Sequence, residues 1–203
     1  MAERKGVLLI LSGPSGCGKD TIIAELKKRS ENIRQSISAT TRAMRDGEVD
    51  GVDYYFTDVE SFEENINKGY FLEYVKYGDN YYGTPKKAVD EMLDSGVSVL
   101  LKIEVEGAGN VRKLYPDIVS VFIVPPSMQV LKERLLGRGT ETEESFRKRI
   151  DTAREELKRA REYDYIVIND DLEQCVSDVC AILKAEQSRY GKMAGTVADI
   201  INN

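Results

Sequence analysis

At 203 residues, with 41% hydrophobic and 32% charged side chains, the chain is long enough to bury one proper core and reads as a single soluble globular domain. Its formal net charge of −6, with no basic block, argues against non-specific nucleic-acid binding, and no apolar run approaches the ~18 residues that a membrane span needs. Histidine is absent, and Cys17, Cys175 and Cys180 form no C-x-x-C pair, so triads, His-ligated metals, zinc frameworks and disulfide scaffolds give way to carboxylates, arginines, lysines and hydroxyls.

The charged start, Met1 to Lys5, runs into an apolar segment too short for a signal sequence, which places the chain in the cytoplasm. Val7 to Leu11 is apolar without alternation, as a strand buried on both faces would be. Gly13-Pro14-Ser15-Gly16-Cys17-Gly18-Lys19 follows, then Asp20-Thr21 and an amphipathic run through Leu26. Strand, glycine-rich loop, lysine and helix in that order form a P-loop, whose N–H groups and lysine can cradle nucleotide phosphates at a helix N-terminus. The residue after the lysine is normally Ser or Thr, whose hydroxyl ligates magnesium; here it is Asp20, a carboxylate able to ligate the metal itself.

A second short strand is expected over 33–37. The segment from Ser38 to Gly83 differs in composition: it holds seven of the eleven tyrosines, with Arg42, Arg45 and the turn formers Gly47 and Gly51. It reads as a small hydroxyl-rich insert lining a polar pocket, compatible with a small mixed sheet, with a helix from Asp58 as N-cap to Gly69. Thr84 and Pro85 suit the N-cap and first position of a helix reaching Gly96. Strands are then expected over 97–103, 118–124 and 165–168. Helices are expected over 107–114, from Ser127 past Leu135, along the spacing Phe146, Ile150, Ala153, Leu157, Ala160, and from Asp171 to about Ser188. The tail from Arg189 is a weak helix or a frayed end. Buried strands alternating with helices give the fold class: an α/β protein with a central parallel sheet covered by helices on both faces.

These motifs together resemble the guanylate kinases, over about Val7 to Leu183. The resemblance rests on Gly13-Pro14-Ser15-Gly16, Thr40-Thr41-Arg42 with Arg45, Gly47-Glu48, Tyr81-Tyr82-Gly83-Thr84, Arg134-Leu135 with Arg138-Gly139, and Ile168-Asn169-Asp170-Asp171. It implies a core of 1–37, 84–136 and 150–190, a GMP-binding insert of 38–83, a lid of 137–149 and a tail of 191–203. It also implies transfer of the γ-phosphoryl of ATP to GMP, and to dGMP, with Mg2+, by a monomer or homo-oligomer. The loop from Gly13 to Thr21 would hold ATP, with Asn169 near adenine. Arg42, Arg45, Tyr54 and Tyr82 would hold the GMP phosphate. Glu73, helped by Glu104, would accept from guanine N1–H and N2–H₂, with Ser38 and Thr84 donating to O6. Lys19, Arg134, Arg138 and Arg149 would neutralise the transferring phosphoryl group. The chain departs from the family at Asp20, at Lys102, where an acid is usual, and at Glu106, where glutamine is usual. Two related outcomes stay open, a phosphopeptide-binding scaffold module and a ribose-phosphate kinase; an intact P-loop and the Glu73, Thr84, Glu104 set weigh against them.

Overall fold

The computed structural model of the protein describes residues 6–115, 117–136 and 143–202. In chain order it comprises β1 (Leu8–Ser12), α1 (Lys19–Arg29), β2 (Ile33–Gln35), β3 (Ala39–Thr40), β4 (Tyr55–Phe56), α2 (Val59–Asn67), β5 (Phe71–Tyr77) and β6 (Asn80–Pro85). There follow α3 (Lys86–Asp94), β7 (Ser98–Lys102), α4 (Val105–Leu114), β8 (Val119–Val124), α5 (Met128–Leu136), α6 (Glu143–Lys158), a 3₁₀ turn (Arg159–Glu162), β9 (Tyr165–Ile168), α7 (Leu172–Gln187) and α8 (Tyr190–Asn202).

Five strands form one parallel sheet in the order β2-β7-β1-β8-β9. The unalternating apolar run of β1 is explained by its place at the centre. Leu9 and Leu11 face one layer with Ile22 and Leu26 of α1 and Val176 and Val179 of α7. Leu8 and Ile10 face the other, with Val89 of α3 and Val111 of α4. Each such buried aliphatic side chain contributes roughly 1.5–3 kcal/mol, so both faces of β1 bind their layers firmly. The strand C-terminal ends lie along one edge, where the order reverses around β1 and ligands settle in this class of sheet.

A second sheet, β4-β3-β6-β5, is mixed: β3 and β4 run parallel, while β6 is antiparallel to both β3 and β5. It is held by rings rather than aliphatic side chains. Phe62 of α2, fully buried, stacks on Phe71 at 4.3 Å and on Tyr81 at 5.2 Å between centroids. Asp58 caps α2 as its sequence position suggests, its carboxylate accepting from the Ser61 N–H at 2.7 Å. Ser127 and Asp171 likewise accept from the N–H groups of Val130 and Gln174.

The helix-cap assignment of Thr84 is overturned. Thr84 belongs to β6, α3 starts at Lys86, and Pro85 occupies the N-cap position without a side-chain cap. The Thr84 hydroxyl instead donates to a carboxylate, and pairing with β5 keeps its backbone extended. The strand expected over 33–37 stops at Gln35, and α4 begins at Val105, two residues before Gly107. The tail is helical, as α8, with Tyr190, Ile200 and Ile201 facing outward. β9 is an edge strand in which only Val167 is buried.

Candidate active site

The loop between β1 and α1 turns through three glycines of positive φ: Gly13 at 147°, Gly16 at 86° and Gly18 at 96°. At the first and last a side chain is excluded twice over, by backbone angle and by space. A Cβ on Gly13 would lie 2.3 Å from the Ile123 carbonyl oxygen, and one on Gly18 2.3 Å from Nδ2 of Asn169. The Lys19 ammonium donates to the Gly13 carbonyl and, at 3.3 Å, to that of Pro14, so it bends back over its own loop. Ser12 Oγ donates to the Ile103 carbonyl at 2.6 Å, tying the ends of β1 and β7 together.

Three later residues reach the loop. Asn169, at the end of β9, is buried and donates from Nδ2 to the Cys17 carbonyl at 2.8 Å. Its own carbonyl accepts from Arg134 Nη2 of α5 at 2.9 Å. The Asn169 amide is therefore a strut of the loop, a role its strand-end position alone did not suggest. The other terminal nitrogen of Arg134, Nη1, is buried and makes no hydrogen bond. Arg149 of α6 donates to Ser15 Oγ at 2.7 Å. Arg138 lies outside the described residues. Thr21, the last of the expected phosphate-loop set, is exposed in the first turn of α1.

Asp20 pairs with Lys102, at the end of β7, at 2.6 Å. Glu156 of α6 is pushed up to about 7, first by burial and then by the charge of Glu104, with Lys19 opposing. Cys17, fully buried, is pushed above the usual thiol range, again chiefly by burial.

The second cluster lies on the smaller sheet. Glu73 of β5 is buried, and its Oε1 accepts from the Thr84 hydroxyl of β6 at 2.8 Å across the strand pair. Burial raises its pKa and the Thr84 hydrogen bond opposes the rise. Arg42 donates to Glu48 at 2.6 Å and lies 5.4 Å above the Tyr54 ring; Tyr54 meets Tyr82 edge-on at 6.1 Å. Glu48 raises the Arg42 pKa and is itself held low by Arg42 and by the Arg45 N–H, which it accepts at 2.8 Å. Ser38 is half-buried just before β3, its carbonyl accepting from Tyr55.

The junction from Lys102 to Gly107 touches both clusters. Lys102 grips Asp20 on the loop side, while a Cβ on Gly107 would come within 3.3 Å of Glu73 Oε2. Glu104 between them is exposed at the N-cap of α4, and its charge is felt at Cys17, Lys102 and Glu156. The Glu73 carboxyl is shifted by burial, with the Thr84 hydrogen bond opposing.

The guanylate kinase family model matches residues 5–186. The chain is 46% identical to a guanylate kinase of Clostridioides difficile over 199 residues, 98% of this chain and 97% of that one. It is 52% identical to one of Carboxydothermus hydrogenoformans over 183 residues, 90% of each. This chain belongs to the guanylate kinase family. In three dimensions it resembles the crystal structure of guanylate kinase from Anaplasma phagocytophilum, with a TM-score of 0.74 and 36% identity over 92% of this chain and 88% of that one.

Reading this chain as a guanylate kinase accounted for most of the residues that the fold brings together, but not for their neighbours. The partnership of Glu48 with Arg42, the Glu156 carboxyl near Lys19 and the fit of Gly107 against Glu73 went unnoticed. The first had a signal: Gly47-Glu48 stands among the family's motifs. Glu156 had none, being one acid in a helix full of charge.

Proposed function

We propose that this protein transfers the γ-phosphoryl group of ATP to GMP, and to dGMP, giving ADP and the nucleoside diphosphate. The observation that carries the base choice is the buried Glu73 carboxylate beside the Thr84 hydroxyl. Guanine offers two donors at N1 and N2 next to an acceptor at O6, and this pair offers an acceptor next to a hydroxyl. Adenine would set its N1 acceptor against a buried carboxylate, leaving polar groups unpaired. Ser38 completes the O6 side, with Glu104 on the junction between the two substrates. Arg42 and Arg45, with Tyr54 and Tyr82, take the GMP phosphate; a guanidinium fork suits phosphate oxygens, and Glu48 holds Arg42 ready and exchanges it for the ligand.

ATP phosphates lie in the loop from Gly13 to Thr21, where backbone N–H groups converge at the start of α1 and Lys19 swings from the Gly13 carbonyl to the β- and γ-oxygens. Asn169 shapes the loop. The exposed Asp20 carboxylate fits a magnesium ion that arrives on the nucleotide, because such an ion keeps waters and phosphates for most of its shell. When bound it would neutralise charge on the transferring group; Asp20 is the residue placed to hold it.

No general base is required. A GMP phosphate oxygen, ionised at neutral pH, forms the new P–O bond as the bond between the γ-phosphorus and the β–γ bridging oxygen breaks, and that electron pair leaves on ADP. The protein aligns the two phosphates and offsets charge with Lys19, Arg134, Arg149 and, from the segment before α6, Arg138. The core, insert and lid divide this labour as 1–37, 84–136 and 150–190, then 38–83, then 137–149, with closure excluding water as a rival acceptor. The enzyme works in the cytoplasm on small molecules, with no nucleic-acid or membrane partner.

A coupled assay with ATP and magnesium across GMP, dGMP, AMP, UMP, CMP and ribose bisphosphate tests the reading. GMP should exceed AMP in kcat/KM by about 10⁴-fold. Turnover of ribose bisphosphate alone, or of none of the six, would discard it.

A further inference from the structure

We infer that the Asp20–Lys102 ion pair selects the form of the donor nucleotide, admitting ATP that carries magnesium and discriminating against metal-free ATP. The inference rests on the phosphoryl-transfer reading above and assigns a joint task to two positions at which the chain departs from the family pattern. Asp20 is the second residue of α1, directly after Lys19. Lys102 ends β7, in register with Leu11 of the central strand, so the pair joins α1 to the strand beside β1, next to the phosphate loop. Nζ and Oδ1 are 2.6 Å apart, with the lysine side chain 33% and the aspartate 73% exposed. A pair so open adds little to stability. The helix it touches is already fixed by buried Ile22, Ile23 and Leu26. Its position at the mouth of the loop is what calls for an explanation.

The two charges have opposite preferences. A carboxylate beside the loop repels the four negative charges of bare ATP but supplies an oxygen ligand to a magnesium ion carried on it. A lysine at the same mouth attracts phosphate whether or not a metal is present, and repels the metal. Held together, the carboxylate tethers the ammonium and keeps it off the phosphates. Tyr54 and Glu104, whose fields also reach Lys102, bring no further positive charge. Asp20 thus acts twice, as the group placed toward the metal and as the restraint on a competing cation. Removing it should release Lys102 toward bare phosphate.

The test is a double-mutant cycle read by calorimetric binding of β,γ-imido-ATP, in magnesium or in EDTA, to wild type, Asp20→Ser, Lys102→Met and the double variant. Melting curves verify that all four fold. Asp20→Ser should tighten metal-free binding and weaken magnesium-dependent binding, narrowing the ratio of the two by about tenfold. Lys102→Met should change metal-free binding less than about twofold when Asp20 is present, and weaken it about tenfold in the Asp20→Ser background, a coupling of about fivefold. Equal effects of Lys102→Met in the two backgrounds, or an unaltered ratio in Asp20→Ser, would overturn the pair's role. Either result is read from binding alone and leaves GMP turnover by the wild type, the check on the broader reading, to be judged separately.

Discussion

Glu73 lies almost out of reach of water, with Thr84 donating to one oxygen and Gly107 close against the other. Replacing it by glutamine keeps the shape but turns one acceptor into a donor facing guanine donors. Glu73→Gln should lower kcat/KM for GMP about 10- to 100-fold while leaving the KM for ATP within twofold, as steady-state kinetics with each substrate varied would register. Glu156 makes a separate case. Its carboxyl titrates near 7 in the folded protein against an ordinary 4.5, because burial disfavours the charge. The fold therefore holds that proton more tightly than the unfolded chain does. Stability from this group is fullest below 4.5, declines as pH rises through the window to about 7, and stays lower above it. Glu156→Gln should accordingly melt higher than wild type at pH 8 and close to it at pH 5; an equal difference at both would assign the effect to packing. These residues show where sequence reading stops. Glu73 stands out through the family resemblance, which implies a carboxylate facing guanine, and the fold buries it beside Thr84. Glu156 does not, because its perturbation comes from burial and from Glu104 and Lys19, both far from it in the sequence.

The β7–α4 junction, six consecutive residues from Lys102 to Gly107, meets both clusters, Asp20 at one end and Glu73 at the other. At Gly107 a methyl group would stand 3.3 Å from Glu73 Oε2, so the carboxylate must yield by a few tenths of an ångström. Alanine is also the better helix former, by roughly 0.5–1 kcal/mol. Gly107→Ala should hold or raise the melting temperature while raising the KM for GMP several-fold to about tenfold, since small misplacements are costly in a positioned site. A fall in stability with unchanged GMP kinetics would contradict this. At this scale the sequence signals divide by kind. Caps such as Asp58, Ser127 and Asp171 were readable because their hydrogen bonds are local. Thr84 misled because the same residue suits a cap or a strand end, and only pairing with Glu73, eleven positions earlier, decides between them. Of the two readings of the tail, weak helix or frayed end, the helix is the one formed, and it buries none of its residues.

Across the whole molecule the division of material is clear. Aliphatic side chains build the parallel sheet and its two covering layers, and aromatic ones build the smaller sheet. That contrast of composition, with the unbroken apolar runs of the central strands, makes the architecture legible in the sequence. The order of those strands has no such signal: right-handed crossovers narrow the options without choosing β2-β7-β1-β8-β9. One feature of the loop carries over to how the molecule breathes. Cys17 packs beneath the phosphate loop with Cys175 in the same buried cluster, while Cys180 is only partly covered. Only a thiolate reacts quickly, and burial holds all three thiols toward the protonated form. Titration with a chromogenic disulfide should show one fast thiol and two slow ones, with Cys17→Ser removing a slow phase. ATP should slow the Cys17 phase further; a Cys17 that reacted as fast as Cys180 would refute this. The phosphate loop then contains its own stopwatch, and a bench spectrophotometer can time how often the nucleotide cradle comes apart.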